Sequence, residues 1–144
     1  QEGLLEVIPI AEDLGIHLLI EPEPELLIEN SNQFIKFIEK FDSKFIGLNF
    51  DIGHFFCVNE NPEKLIIDLQ DYIQHIHLED IALSRQHHHL IPGHGVIDFK
   101  EIFSSLNLIN YNGFITVELY PYQNNPQVAA IESITYLKSI IENV

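Results

Sequence analysis

The stretch Gln74-His75-Ile76-His77-Leu78-Glu79-Asp80 decides how this chain is read. His75, His77 and Glu79 alternate with Ile76 and Leu78, the two-residue period of a β-strand, so the three polar side chains share one face. The segment therefore reads as a strand over 73–79 that closes on groups able to bind a metal ion. Three other segments close in the same way: Leu18-Leu19-Ile20-Glu21, Leu48-Asn49-Phe50-Asp51 followed by Ile52-Gly53-His54, and Ile115-Thr116-Val117-Glu118. A single acid at a strand end is ordinary turn or helix-cap chemistry. Four in register, on parallel strands whose C-terminal ends converge, would gather Glu21, Asp51, His77 and Glu118 around one point, with Glu23 as an alternative to Glu21.

Helical patterns separate these strands. Leu4, Val7, Ile8, Ala11 and Leu14 give helical spacing over 3–14, closed by Gly15, although Pro9 removes one internal hydrogen bond and predicts a bend. A strand over 16–21 ends at Glu21-Pro22-Glu23-Pro24. A helix over 31–41 carries Phe34, Phe37, Ile38 and Phe41, and a strand follows over 45–50. Asn61-Pro62 caps a helix bearing Leu65, Ile66 and Leu69. A long connection over 80–97 leads to a helix capped by Asp98, with Phe99, Ile102, Phe103 and Leu106. Tyr111-Asn112-Gly113 turns the chain into a strand over 114–119, and Asn125-Pro126 opens a last helix with Ala130, Ile131, Ile134, Leu137 and Ile141. Helix, then strand and helix four times, predicts an α/β fold with a parallel sheet.

Composition narrows the function. The 144 residues suit one domain, spanning 1–144, and the 46% of apolar residues excludes a disordered chain. No apolar run approaches the roughly 18 residues a membrane helix needs. The formal charge of −15 opposes a surface that grips nucleic acid through its phosphates. Cys57 is the single cysteine, so no intrachain disulfide forms and a reducing, cytoplasmic setting is expected; its neighbours Phe55, Phe56 and Val58 suggest a packed thiol. The chain lacks an initiator Met and opens inside a helical pattern, which suggests a fragment or a processed piece.

Three carboxylates and an imidazole form a mixed, fairly hard donor set, suited to Mn²⁺, Mg²⁺, Co²⁺ or Fe²⁺ and tolerant of Zn²⁺. The 80–97 connection adds Arg85, His87-His88-His89 and Pro92-Gly93-His94-Gly95. Arg85 is either an anchor for an anionic substrate group or a surface residue. The two glycines mark either a tight turn or backbone held close to a ligand.

The ordered set Asp51-Ile52-Gly53-His54, His77-Leu78-Glu79-Asp80, His89 with Pro92-Gly93-His94-Gly95-Val96-Ile97-Asp98-Phe99, and Tyr111-Asn112-Gly113-Phe114 through Glu118 resembles the second half of the xylose isomerase-like TIM barrels. That superfamily contains sugar and sugar-phosphate isomerases and epimerases, and endonuclease IV-type repair enzymes. The resemblance implies that the strands are the fifth to eighth of a TIM barrel. It matches Glu21, Asp51, His77 and Glu118 to metal ligands, Glu21 and Glu118 also to the carboxylates that exchange a proton with substrate carbon, and His54 to a contact with substrate oxygen. His89 and Arg85 join His54 as candidate substrate-binding residues, with His75 and His87 as further candidates.

The repair-enzyme pattern maps in part, with Asp51, His54, His77, His89 and Glu118 at zinc positions and His87 where that family has an Asp. The resemblance thus implies a metal-dependent isomerase or epimerase of a sugar, sugar phosphate or related polyol. The alternatives are a non-catalytic metabolite-binding or assembly domain, or a metal-dependent phosphodiesterase. A half barrel leaves two open sheet edges. Either a second copy or a missing N-terminal half is expected to close it.

Overall fold

The computed structural model describes residues 2–142. Four strands, β1 (Leu18–Ile20), β2 (Ile46–Asp51), β3 (Ile73–Leu78) and β4 (Ile115–Val117), form one parallel sheet in the order β1-β2-β3-β4. Around them run α1 (Glu2–Leu14), α2 (Ser31–Ile38), α3 (Ile52–Cys57), α4 (Pro62–Asp68), α5 (Phe99–Leu108) and α6 (Pro126–Ile141), with a 3₁₀ turn at Tyr120–Tyr122. Sequential strands that are also spatial neighbours, joined through helices, give the arrangement of half an eight-stranded barrel.

The two faces of the sheet are chemically different. Leu48, Phe50, Ile76 and Leu78 are fully buried against Phe34 and Ile38 of α2, Ile66 of α4, and Ile102 and Leu106 of α5. Asn49, Asp51, His75 and His77 alternate with them and occupy the opposite, concave face. In register Asp51 lies beside His77, and His77 beside Thr116, so the polar row runs across the sheet at its C-terminal end.

Several boundaries differ from those expected. β1 and β4 span three residues each instead of six, because each is an edge strand paired on one side only; Glu21 and Glu118 therefore sit just past the ladder. α2 stops at Ile38, where the amide of Glu39 bonds back to the Ile35 carbonyl. α1 continues through Pro9 to Leu14. α3 was not legible as a separate helix: it is a short turn begun by Asp51, whose Oδ1 accepts from the His54 amide at 2.7 Å.

The end helices are only partly covered. α6 turns Ala129, Ser133 and Leu137 to the core and leaves Val128, Ile131, Ile134 and Ile141 exposed. On α1, Ile8 and Ala11 are buried while Leu5, Val7, Ile10 and Leu14 are exposed. The free edges of β1 and β4 lie at these same two ends of the sheet. Among the described residues no helix is long and apolar enough to cross a membrane.

Candidate metal centre

One donor atom from each of Glu21, Asp51, His77 and Glu118 lies within 4.8 Å of the others. The imidazole Nδ1 of His77 is the hub, 2.9 Å from Glu21 Oε1, 3.3 Å from Glu118 Oε2 and 4.0 Å from Asp51 Oδ2. Each ligand comes from a different strand end, so the geometry depends on sheet register and not on any one loop. Asp51 has a divided role. Its Oδ1 is committed to capping α3, while Oδ2 is buried with no hydrogen-bonding partner and belongs to the same cluster. A buried, unpaired carboxylate oxygen is costly unless a cation or a proton meets it. Three carboxylates and one imidazole converging there suit a divalent cation, so the residues present fit such an ion.

The electrostatics of the metal-free site follow from crowding of acids. Burial pushes Asp51 up to about 7, with the charges of Glu21 and Glu118 acting in the same direction. Glu79, fully buried against Asp51, is raised well above the usual carboxylate range by burial and by that neighbour. Its two oxygens make no hydrogen bond of ordinary geometry. The hydrogen bond that His77 donates to Glu21 raises the imidazole despite its partial burial. For Glu21 burial acts upward, but the hydrogen bond and charge of His77 outweigh it and leave the carboxyl below its ordinary value. The His77 imidazole thus stands among carboxylates that favour its charged form.

A second cluster stands beside the first. His54, His87 and His89 offer one nitrogen each within 4.8 Å of one another. His54 Nδ1 faces the Pro22 carbonyl at 3.0 Å and His89 Nδ1 faces the Glu118 carbonyl at 3.1 Å. A carbonyl only accepts, so both rings carry their proton on Nδ1 and leave Nε2 as the acceptor; that of His89 already faces His87 Nε2 at 3.2 Å. Burial lowers His54 to about 4, so that ring is neutral near pH 7, and burial lowers His89 as well. Glu21, Glu23, His54, His89, Glu118 and Tyr120 line a cavity of about 110 Å³ together with His87. A larger hollow of about 590 Å³ lies on the same face nearer the N-terminal end of the strands; its walls include His17, Leu19, His75 and Tyr111 but no carboxylate.

The structure thus brings together Glu21, Asp51, His77 and Glu118, with His54, His87 and His89 adjoining. Glu23 lies on the cavity wall and not in the converging set, which contains Glu21. His75 sits one layer deeper, its Nε2 2.9 Å from Thr116 Oγ1. Arg85 does not line this cavity. It stacks 3.8 Å from the Phe56 ring centroid, donates through Nη1 to the Phe56 carbonyl, and borders a different cleft with Glu60, Glu63 and Asp98. Its positive φ of 58° turns the chain at that point. Glu79 and Asn49 were not singled out as site residues, yet Asn49 Nδ2 lies 3.3 Å from His77 Nδ1. The alternation of the His75–Glu79 stretch was the signal for Glu79.

A family model described as the xylose isomerase-like TIM barrel matches residues 1–140. The chain belongs to that family. It is 28% identical over 155 residues to inosose dehydratase of Clostridium beijerinckii, an alignment covering 95% of this chain and 52% of that protein. A crystal structure of a D-tagatose 3-epimerase-like protein superimposes with a TM-score of 0.85 at 33% identity, covering 98% of this chain and 52% of the other. The zinc-bound IolI protein shares the fold, with a TM-score of 0.79 at 21% identity over 97% of this chain and 54% of that one. The chain spans about half the length of these proteins, and its four strands are half of a TIM barrel. Its relatives are sugar-modifying enzymes.

Proposed function

We propose that this chain carries the metal centre of a divalent-metal-dependent isomerase or epimerase acting on a sugar, sugar phosphate or related polyol. The observation that carries this reading is the convergence of Glu21 and Glu118 on one point beside His77, each within 3.3 Å of its Nδ1. Glu21, Asp51, His77 and Glu118 would hold the ion. Bound there, the ion would supply Lewis-acid stabilisation of the negative charge that develops on a hydroxycarbonyl when its carbon acid is ionised. Glu21 and Glu118 flank that position from different strands, so one carboxylate removes a proton from the substrate carbon and the other returns one. The Nε2 lone pair of His54 accepts a hydrogen bond from a substrate hydroxyl, and His89, whose Nε2 faces His87 at 3.2 Å, walls the substrate beside it, which together fix which carbon faces the carboxylates. The names of the relatives, a dehydratase of inosose and an epimerase-like protein of tagatose, support a keto-sugar or keto-polyol substrate.

The whole chain, residues 1–144, is one half-barrel unit in this reading. The exposed apolar faces of α1 and α6, next to the free edges of β1 and β4, support closure either by a second copy or by an N-terminal half-barrel. Light scattering that finds a stable monomer at high concentration would contradict it. A cytoplasmic setting follows from the single, unpaired thiol of Cys57.

The reaction is tested by incubating candidate ketoses in deuterated water with the chain, its closing partner and Mn²⁺ or Co²⁺. Substrate C–H exchange in the wild type, lost in Glu21→Gln and Glu118→Gln with folding retained, is the expected result. Absence of exchange with every candidate sugar refutes the reaction and leaves a binding or assembly domain. A second reading, a metal-dependent phosphodiesterase, is favoured by the three-imidazole cluster of His54, His87 and His89. The net charge of −15 opposes a DNA substrate, and strand-cleavage assays with Zn²⁺ distinguish the two.

A further inference from the structure

The connection from β3 to α5 runs from residue 79 to residue 98 with no helix or strand of its own beyond one isolated bridge. Irregular segments of this length in a compact fold are either functional or unpinned. Single bonds hold it at Val96 to the Ile81 carbonyl and at His89 to the Glu118 carbonyl, but one residue supplies most of its anchorage. The carboxylate of Asp80, 1% exposed, accepts four main-chain hydrogen bonds: Oδ1 from Ile81 at 2.9 Å and Ile97 at 3.1 Å, Oδ2 from Gly93 at 2.9 Å and Gly95 at 2.8 Å. Its own amide and carbonyl bond to the carbonyl and amide of Leu90 at 2.9 and 2.8 Å.

Five of these six bonds reach residues 90–97, so Asp80 fastens the far end of the connection to the tip of β3. The excursion thrown out between the two ends carries His87 and His89 to the cavity. The Pro92-Gly93-His94-Gly95 motif now has a physical reason. Gly93 has φ of +93°, and a Cβ at Gly95 would lie 2.3 Å from Asp80 Oδ1 and from the Ile81 carbonyl. The glycines let backbone amides wrap a buried carboxylate, which is the form of an anion nest.

We infer that Asp80 is a positioning residue that sets His87 and His89 against the metal centre, a role that rests on the reading of that centre proposed above. Two oxygens with four acceptor directions match four amide donors. An asparagine offers one oxygen and turns two N–H groups toward the remaining donors. Asp80→Asn therefore releases at least two of the four amides while changing side-chain volume little.

The test uses the intact chain with Mn²⁺ as a paramagnetic probe. In the wild type, Mn²⁺ should broaden the ring-proton resonances of His54, His87 and His89, and the amides of Gly93, Gly95 and Ile97 should be protected from hydrogen exchange. In Asp80→Asn these amides are expected to exchange at least tenfold faster and the broadening of His87 and His89 to be lost. The broadening of His54, the Mn²⁺ affinity and the protection of β2 and β3 amides should stay. Retained broadening of His87 and His89 overturns the proposal, as does equal loosening of the strands. If Asp80→Asn does not fold, Gly95→Ala, which attacks the same nest from the loop side, decides between the same two results. If the wild type binds no Mn²⁺, the metal reading fails, and a loop whose exchange is unchanged by substitution at Asp80 separately refutes the pinning.

Discussion

Glu79→Gln should make the metal-free protein more stable, by an amount that grows with pH. Glu79 is fully buried beside Asp51, and burial holds its pKa well above the ordinary value of 4.5. The sign follows from proton counting. An acid whose folded-state pKa is raised keeps a proton that the unfolded chain has lost, so its contribution is intact below the unfolded value and falls as pH rises past it. Each proton held only by the folded chain tilts stability by about 1.4 kcal/mol per pH unit. From pH 5 upward the wild type therefore loses stability through Glu79 that the glutamine variant does not lose, by at most about 1.4 kcal/mol for each pH unit.

Glutamine keeps the shape and donates to Asp51 through its amide without needing a proton. His54, lowered to about 4 by burial, pulls stability the other way over part of this range. It does so equally in both proteins and cancels in their difference. Urea denaturation followed by circular dichroism at pH 5, 6 and 7, with EDTA present, gives the two curves. A gap that stays constant within about 0.5 kcal/mol over that range would refute the account of Glu79 as a buried, proton-holding acid.

Isothermal titration with Mn²⁺ should show Asp51→Asn and Glu118→Gln binding at least about tenfold more weakly, since even outer-shell changes cost about 10–100-fold, while Glu23→Gln changes affinity by less than about threefold. Gly53→Ala should destabilise the chain by about 1–3 kcal/mol in urea unfolding, because the new Cβ would stand 1.7 Å from Glu79 Oε1 and 2.9 Å from Ile81 Cγ1. The helix-propensity gain of roughly 0.5–1 kcal/mol does not offset that overlap, and a neutral or stabilising result would contradict the packing. Cys57, half-buried with its thiol pushed up to about 11 by burial, should react with a disulfide reagent at pH 8 at least about tenfold more slowly than a free thiol.

The strand ends and the convergence of Glu21, Asp51, His77 and Glu118 were legible because apolar runs that close on acids or imidazoles mark the C-terminal tips of buried parallel strands. Helix starts were legible at Asn61 and Asp98, whose side chains do accept from Lys64, and from Lys100 and Glu101. Arg85 shows the opposite case. Its charge left an anion anchor and a surface residue equally open, and only the structure places its guanidinium against Phe56 on a different cleft. Pro9 lies inside α1, which runs on to Leu14. The apolar stripe of α6 suggested a covered helix, yet Ile131 and Ile134 face outward.

The order of residues alone determined the α/β class, the parallel sheet and which four side chains stand at the strand tips, because alternation and helical spacing are local properties that survive without knowledge of distant contacts. The three-dimensional arrangement decided what no local pattern encodes: that Asp51 divides its oxygens between a helix cap and the metal centre, that Glu79 is sealed against it, and that Asp80 gathers four amides from residues up to 17 positions away. Each of these depends on which groups meet across the sheet and on how much water the meeting excludes, and both are set only when the strands and the long connection are in place.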